Sequence, residues 1–295
     1  MVKNDRLFQL ISNIVFVLLC ALCLLPFILL VVSSFTDEMV LIRNGYSFFP
    51  EKLSLESYKY LFVNSNALTR GYLISIIVTV AGTALSIAIT TLMAYPLSRK
   101  DLPHRNIFTF IVFFTMLFNG GLVPSYIMWT QTFQIKNSLG AYIFPGLLLG
   151  AYNIIMMRTN ISVNIPESVT EAARIDGAGE WRILTQLVVP MSKPIIATLI
   201  VMIGLGYWNN WTNGLYYISK DQLFSIQVLL NRMLKDVQYL MSNSSAATAA
   251  SDSAMIPAAG IRMAVAVMGT IPILMVYPFF HKFFVKGITI GSVKG

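Results

Sequence analysis

One short polar segment, residues 158–193, carries residue types that suit docking against another protein. The candidate residues, in chain order, are Glu171, Ala172, Ala173, Asp176, Gly177 and Pro190. The two alanines are small enough to let a partner approach closely, and the glutamate can pair with a basic residue across such a contact. Glycine adopts backbone angles that other residues avoid, so Gly177 predicts a sharp bend. These residues therefore predict a protruding contact surface.

Helix signals lie on both sides of this bend. Asn164 precedes Pro166 and Glu167, an order typical of a helix start with asparagine as the N-cap. We expect a first helix over 168–175, a break near Gly177 and a second helix over 180–187. Pro190 is expected to end the second helix.

A second group of residues combines amides with aromatic rings in otherwise apolar stretches. Its members are Asn119, Tyr126, Trp129, Trp208, Asn209, Asn210 and Trp211. Amides both donate and accept hydrogen bonds, and aromatic faces pack against C–H groups, so this group suits a neutral polyhydroxylated ligand on a passage through the protein. Aromatic belts at a membrane surface and asparagines that join two helices are equally common, and this alternative stays open.

Residue types for catalysis and metal binding are scarce. The chain has two cysteines and two histidines, and neither histidine (His104 or His281) has an evident partner in the sequence. The phosphate-binding pattern G-x-x-x-x-G-K-[ST] does not occur in the sequence. We therefore expect a non-enzymatic chain without a catalytic, metal or cofactor site, so that any ATP binds to a separate subunit.

The elements that position these residues are long apolar runs. Of the 295 residues, 56% are hydrophobic and 12% charged, against about 25% charged in soluble domains. Six runs lack Asp, Glu, Lys, Arg and His: 11–34, 72–97, 107–129, 139–157, 194–219 and 263–280. A membrane-spanning helix needs about 20 such residues. The sequence thus predicts an all-α integral membrane protein with six transmembrane helices in one domain, 1–295.

The basic residues predict how these helices are oriented. More than half of the 21 lysines and arginines fall in four segments: 1–10, 98–106, 158–193 and 281–295. The positive-inside rule places these segments, and both termini, in the cytoplasm. The loops 35–71 and 214–262 are then external; the second is expected to hold an interfacial or re-entrant helix near 224–234 and a flexible stretch at 242–254. The net charge of +8 is thereby explained by topology and not by a nucleic-acid partner.

The polar segment resembles the EAA motif of ABC (ATP-binding cassette) importer permeases. Glu171-Ala172-Ala173, three further residues and Gly177 are followed by Leu187-Val188-Val189-Pro190, in which Leu187 and Val189 stand where that family usually has Ile and Leu. The stretch 119–126 and the tail 277–295 resemble the maltose-type (MalG-like) carbohydrate permeases, within them the LplC/YtcP-type group.

The resemblance implies a type I ABC importer permease fold, in which the EAA helices couple to an ATPase on the cytoplasmic side of a bacterial cell membrane. It also implies that the tail contacts the ATPases, through Lys286, Gly287 and Lys294. The implied partners are a second homologous permease, two ATP-binding subunits, an extracellular sugar-binding lipoprotein and membrane lipid. The implied cargo is a carbohydrate, in this group an oligosaccharide.

Two other functions remain as alternatives. A secondary carrier or channel could act alone on a small polar solute, and a membrane enzyme could process lipid-linked sugars. Ion-coupled carriers and enzymes need ionisable groups at membrane depth, and the six runs have none. The importer interpretation is therefore favoured.

Overall fold

The computed structural model describes residues 5–63, 65–242 and 258–292. Within these residues, regular structure is helical, apart from one isolated antiparallel bridge between Thr36 and Leu53. The expected all-α class is confirmed. The helices are α1 (Asp5–Ser34), α2 (Glu38–Asn44), α3 (Glu56–Phe62), α4 (Ser65–Ser98), α5 (Arg105–Leu117), α6 (Leu122–Ile127), α7 (Gly140–Ile143), α8 (Ala151–Asn164), α9 (Glu167–Ile175), α10 (Glu180–Ile183), α11 (Val189–Met191), α12 (Lys193–Trp208), α13 (Trp211–Tyr217), α14 (Ile226–Ser242) and α15 (Ala258–Ser292).

Two helices are long and apolar enough to cross a membrane by themselves. They are the stretches Leu7–Ser34 of α1 and Asn66–Ser98 of α4, which include the predicted runs 11–34 and 72–97. The run 263–280 lies within α15, where the apolar stretch Ala259–Met275 is shorter. Counting each sharply bent helix pair as one span brings the number of candidate spans among the described residues to four.

The run 107–129 is not the single helix that the sequence predicts. Arg105–Leu117 and Leu122–Thr132 meet at 110°, and the second stretch ends in a π-helical turn. The break follows from Gly120 and Gly121: the latter has φ +90°, which lies outside the helical region and favours glycine.

The runs 139–157 and 194–219 are also interrupted. Between α7 and α8 the chain turns at Gly146, whose φ is +75°. Between α12 and α13 it breaks at Asn209 and Asn210. Two of the six predicted runs are thus confirmed as continuous helices long enough to span a membrane. Three others are broken, because glycine and asparagine permit breaks that hydropathy does not register.

The chain forms two compact units, which are described separately. The first comprises Met1–Leu68 and Leu230–Pro272. In it Glu38, only 9% exposed, accepts hydrogen bonds from the backbone N–H groups of Ala259 and Gly260, both at 2.9 Å. This carboxylate satisfies donors that the first turn of α15 cannot bond itself, and its charge suits the positive end of the helix. Asp37 caps α2 and pairs with Lys52 at 2.8 Å, which holds the pKa of Asp37 below its usual value.

The second unit comprises Thr69–Leu229 and Ile273–Gly295. Its core includes Met157, Ile183, Val188 and Leu199, each at most 1% exposed. Ile183 and Val188 belong to the polar segment 158–193, so the segment is anchored in this core by its own apolar residues. The predicted helix near 224–234 is present as α14, which continues to Ser242. The predicted flexible stretch 242–254 lies, beyond Ser242, outside the described residues.

Candidate functional site

The first helix of the polar segment is α9, Glu167–Ile175. The expected start at Asn164 is wrong, because Asn164 is the last residue of α8. Pro166 occupies the cap position with an extended backbone (φ −61°, ψ 137°), and no side chain caps the helix. Proline both stops the preceding helix and sets the entry to the next one, which explains the shift.

The bend after α9 is at Gly177, as predicted. Its φ is +78°, and two backbone hydrogen bonds of 2.9 Å close the helix end, from Gly177 N–H to Arg174 O and from Ala178 N–H to Ala173 O. This is the Schellman arrangement, which needs a left-handed residue at the position of Gly177. Ala173 therefore has a backbone role in addition to its small size.

The second helix starts at Glu180 as expected but extends beyond 187. It runs from α10 through a π-helical turn, Leu184–Val188, into α11, and the chain then bends by 80° before α12. Pro190 thus lies inside α11 and not at its end. A proline has no N–H for the regular i→i−4 bond, and a widened turn precedes it here.

We call residues 167–183 the knob. On its outer surface Glu171, Ala172, Asp176 and Gly177 are exposed, and Ile175 is 87% exposed. Within the described part of the chain, the Glu171 side chain makes no hydrogen bond or ion pair. The motif thus presents a carboxylate, small residues and an apolar side chain on a solvent-accessible surface, as a docking site requires.

An ionic network lies at the base of the knob. The guanidinium of Arg99 donates hydrogen bonds to the carboxylates of Asp101 and Glu180, and Arg174 Nε donates to Glu180 Oε1 at 3.1 Å. The bond from Arg99 lowers the pKa of Asp101 to about 2 and also lowers the pKa of Glu180. These residues were not predicted as site residues; the neighbouring opposite charges of Arg99-Lys100-Asp101 are the one signal in the sequence that indicates them.

The amide and aromatic candidates of the third run lie in the second unit. The ring of Tyr126 stacks on Tyr217 with centroids 5.8 Å apart, and Trp129 lies 5.0 Å from Phe133. Asn119 is exposed at the helix break, where its Oδ1 accepts from Gly121 N–H at 2.9 Å. Tyr217 is a stacking partner that the sequence did not indicate.

The candidates of the fifth run divide between buried and exposed positions. Trp208 and Asn210 are 7% and 8% exposed, whereas Asn209 and Trp211 are exposed. Asn210 Nδ2 donates to Tyr142 O at 3.2 Å, and its Oδ1 caps α13 by accepting from Asn213 N–H at 3.2 Å. These bonds give Asn210 a structural role.

The remaining predicted contact residues belong to the tail. Lys286 and Gly287 fall within α15, and Lys294 lies outside the described residues.

Comparison with known proteins identifies the family. Residues 86–290 match the family described as "Binding-protein-dependent transport system inner membrane component". The chain belongs to this family. It is 36% identical to the polygalacturonan/rhamnogalacturonan transport system permease protein YtcP of Bacillus subtilis, over 99% of this chain and 100% of that protein. It is 35% identical to the protein LplC of the same organism, over 99% and 97% of the two chains.

A solved structure supports the same assignment. A chain of a bacterial ABC transporter involved in the import of the acidic polysaccharide alginate matches with a TM-score of 0.77 and 27% identity, over 96% of this chain and 99% of that one. The protein is therefore a permease subunit of an ABC importer, located in the cell membrane, and ATP hydrolysis takes place on separate subunits. The resemblance to the maltose-type and LplC/YtcP-type permeases is confirmed.

Proposed function

We propose that this chain is one of two homologous permease subunits that together import an oligosaccharide into a bacterial cell. The observation that carries the proposal is the full-length similarity to YtcP, a permease of polygalacturonan/rhamnogalacturonan transport, and to a transporter involved in the import of the polysaccharide alginate. An extracellular binding lipoprotein delivers the sugar, and two ATP-binding subunits drive its passage. The chain itself binds no metal, cofactor or nucleic acid, and the catalytic step of the cycle, ATP hydrolysis, takes place on the ATP-binding subunits.

In this proposal all six apolar runs cross the membrane in one permease domain, with both termini in the cytoplasm. The bent pairs Arg105–Leu117 with Leu122–Thr132, and Glu180–Met191 with Lys193–Trp208, contribute broken spans. Loops 35–71 and 214–262 face outward. The distribution of basic residues supports this orientation.

The knob couples the permease to ATP hydrolysis. Glu171, Ala172 and Ala173 seat against an ATP-binding subunit, Asp176 and Gly177 form the bend at the contact, and Pro190 lies in the helix that continues from the knob. Closure of the two ATP-binding subunits draws the knobs of both permeases together and opens the sugar passage outward. Hydrolysis then resets the cycle. The exposed side chain of Glu171 supports this role. The tail residues Lys286, Gly287 and Lys294 provide a second contact.

The sugar passage is lined by members of the amide and aromatic group. Tyr126, Trp129, Asn119, Asn209 and Trp211 retain partly or fully exposed surface, which a passing hydroxylated ligand requires. Trp208 and Asn210 are buried, so we assign them the support of this lining.

Affinity purification tests the proposal. The chain is tagged in its native bacterium, extracted in mild detergent, and its companions are identified by mass spectrometry, with an equally tagged unrelated six-span protein as the control. We expect an ATP-binding subunit and a second permease. The binding protein encoded with them is then screened against acidic and neutral oligosaccharides. Recovery of a stable chain without an ATPase contradicts the importer and favours a carrier or channel that acts alone.

A further inference from the structure

We propose that Arg99, Lys100 and Asp101, in the turn after α4, form a bracket that holds the knob in its docking position. The bracket residues are consecutive in sequence, yet they contact both ends of the knob. From charge alone, this turn is predicted only to lie on the cytoplasmic side of the membrane. The proposal rests on the proposed function of the knob and assigns positioning residues to it.

The first end of the knob is held by Lys100. Its Nζ lies 2.8 Å from Oε2 of Glu167, the first residue of α9. Both side chains are at least half exposed, so solvent screens this pair and its contribution is small. It links the turn after α4 to the first residue of the knob.

The other end is held by Arg99, which is better shielded, with 21% of its side chain exposed. Its Nε donates to Asp101 Oδ1 at 2.8 Å while another guanidinium nitrogen donates to Asp101 Oδ2, a forked geometry that lysine cannot reproduce. The third guanidinium nitrogen donates to Glu180 Oε2. Tyr95, on the last turns of α4, donates its hydroxyl to the same oxygen at 2.6 Å.

Arg174 closes the network into a ring. From the last turn of α9 it donates to Glu180 Oε1 at 3.1 Å, and one of its terminal nitrogens lies 3.8 Å from Asp101 Oδ2. Charges of alternating sign thus follow one another around Arg99, Glu180, Arg174 and Asp101. The ring joins the two helices of the knob to each other and both of them to α4.

The bend between these helices is open at its two glycines, while Ala178 between them packs against the core of the second unit. A Cβ atom built on Gly177 or on Gly179 meets no atom within 4 Å. Side-chain packing therefore does not hold the bend at these positions, and the ring spans them from Arg174 to Glu180. A shift of α4 is in this way transmitted to the knob through charged hydrogen bonds.

The acidic residues of the knob divide accordingly. Glu167 and Glu180 form ion pairs with the bracket. Glu171 and Asp176 make no side-chain hydrogen bond or ion pair within the described residues, so their carboxylates are accessible to a partner protein. Because a preformed surface loses less conformational entropy on binding, the bracket raises the affinity of the knob for the ATP-binding subunit.

The test measures the dissociation constant of the purified ATP-binding subunit for the permease pair in nanodiscs. We expect Arg99→Gln and Glu180→Gln each to raise it about fivefold, and the double variant to raise it no further than the larger single effect, because the two residues act as one unit. Arg99→Lys restores part of the affinity. The matched control is Arg43→Gln, because Arg43 is exposed in the last turn of α2, outside the knob and the bracket; it changes the constant by less than about twofold.

Two further measurements separate the possible failures. Amide hydrogen exchange of α8 verifies that each variant is folded, and exchange in the knob should accelerate in Arg99→Gln but not in the control Arg43→Gln. Glu171→Ala should weaken binding in a manner additive with Arg99→Gln. Absence of binding by the unmodified chain overturns the proposed function. The bracket alone is overturned if Glu171→Ala weakens binding but Arg99→Gln affects it no more than the control Arg43→Gln does.

Discussion

Replacement of Gly177 by alanine should destabilise the bend of the knob through the backbone alone. Its φ of +78° is a left-handed angle that costs an L-residue about 1–2 kcal/mol. The new methyl group meets no atom within 4 Å, so no steric clash adds to this cost. Gly179 offers a matched control, since its surroundings are equally open but its backbone is extended (φ −69°, ψ 160°).

The expected size of the effect follows from this strain. A loss of 1–2 kcal/mol raises the population of the opened bend by a factor of about 5 to 30. The affected amides are those of Gly177 and Ala178, whose hydrogen bonds to Arg174 and Ala173 depend on the left-handed residue. Gly177→Asn should fall between the parent and Gly177→Ala, because asparagine tolerates this region better than alanine.

Amide hydrogen exchange of the complete transporter in nanodiscs provides the assay. Gly177→Ala should accelerate exchange of the two amides by that factor, whereas Gly179→Ala should leave it unchanged or slow it slightly. Exchange in α8 serves as the internal reference for folding. Equal protection in the two alanine variants refutes the reasoning from the backbone angle, as does a Gly177→Asn variant that exchanges as fast as Gly177→Ala.

Three further results are expected. Hydrogen bonds with Arg99 lower the pKa of the Asp101 carboxyl to about 2, below its value in the unfolded chain. The stability that the ionised carboxylate contributes is therefore complete above about pH 4 and is lost as the pH falls towards 2. A ¹³C-carboxyl NMR titration should show a midpoint at about 2, and Arg99→Gln should raise this midpoint towards about 4. Glu38→Ala removes the cap of α15 and should lower the free energy of unfolding by about 1–2 kcal/mol, measured as a lower thermal midpoint in detergent. Glu51→Gln, at an exposed position, should leave the midpoint unchanged. Equal midpoints of the two variants contradict the capping role. Gly214→Ala places a Cβ 2.2 Å from a methyl group of Val228. The resulting overpacking should lower the free energy of unfolding by about 1–3 kcal/mol and with it the thermal midpoint. An unchanged midpoint contradicts tight packing around Gly214.

Much of the architecture and the main surface motif could be predicted from local sequence. Helical class, membrane-suited segments and the bend at Gly177 depend on composition and on the backbone preference of one residue type. The boundaries were less predictable, because neighbouring signals compete. Asn164 is a good N-cap by type, but α8 continues through it and Pro166 starts the next helix.

What the sequence by itself determined was an all-helical membrane protein with a bend at Gly177, because these properties arise from short stretches of chain. The tertiary structure decided where apolar runs break and which polar residues are used internally. Asn210 caps α13 and bonds Tyr142, 68 residues away, so it is not simply a free amide for a ligand. Glu180 is bound by Arg99, 81 residues away, whereas Glu171 remains exposed. Such pairings depend on how distant segments pack, and neither residue type nor spacing along the chain contains that information.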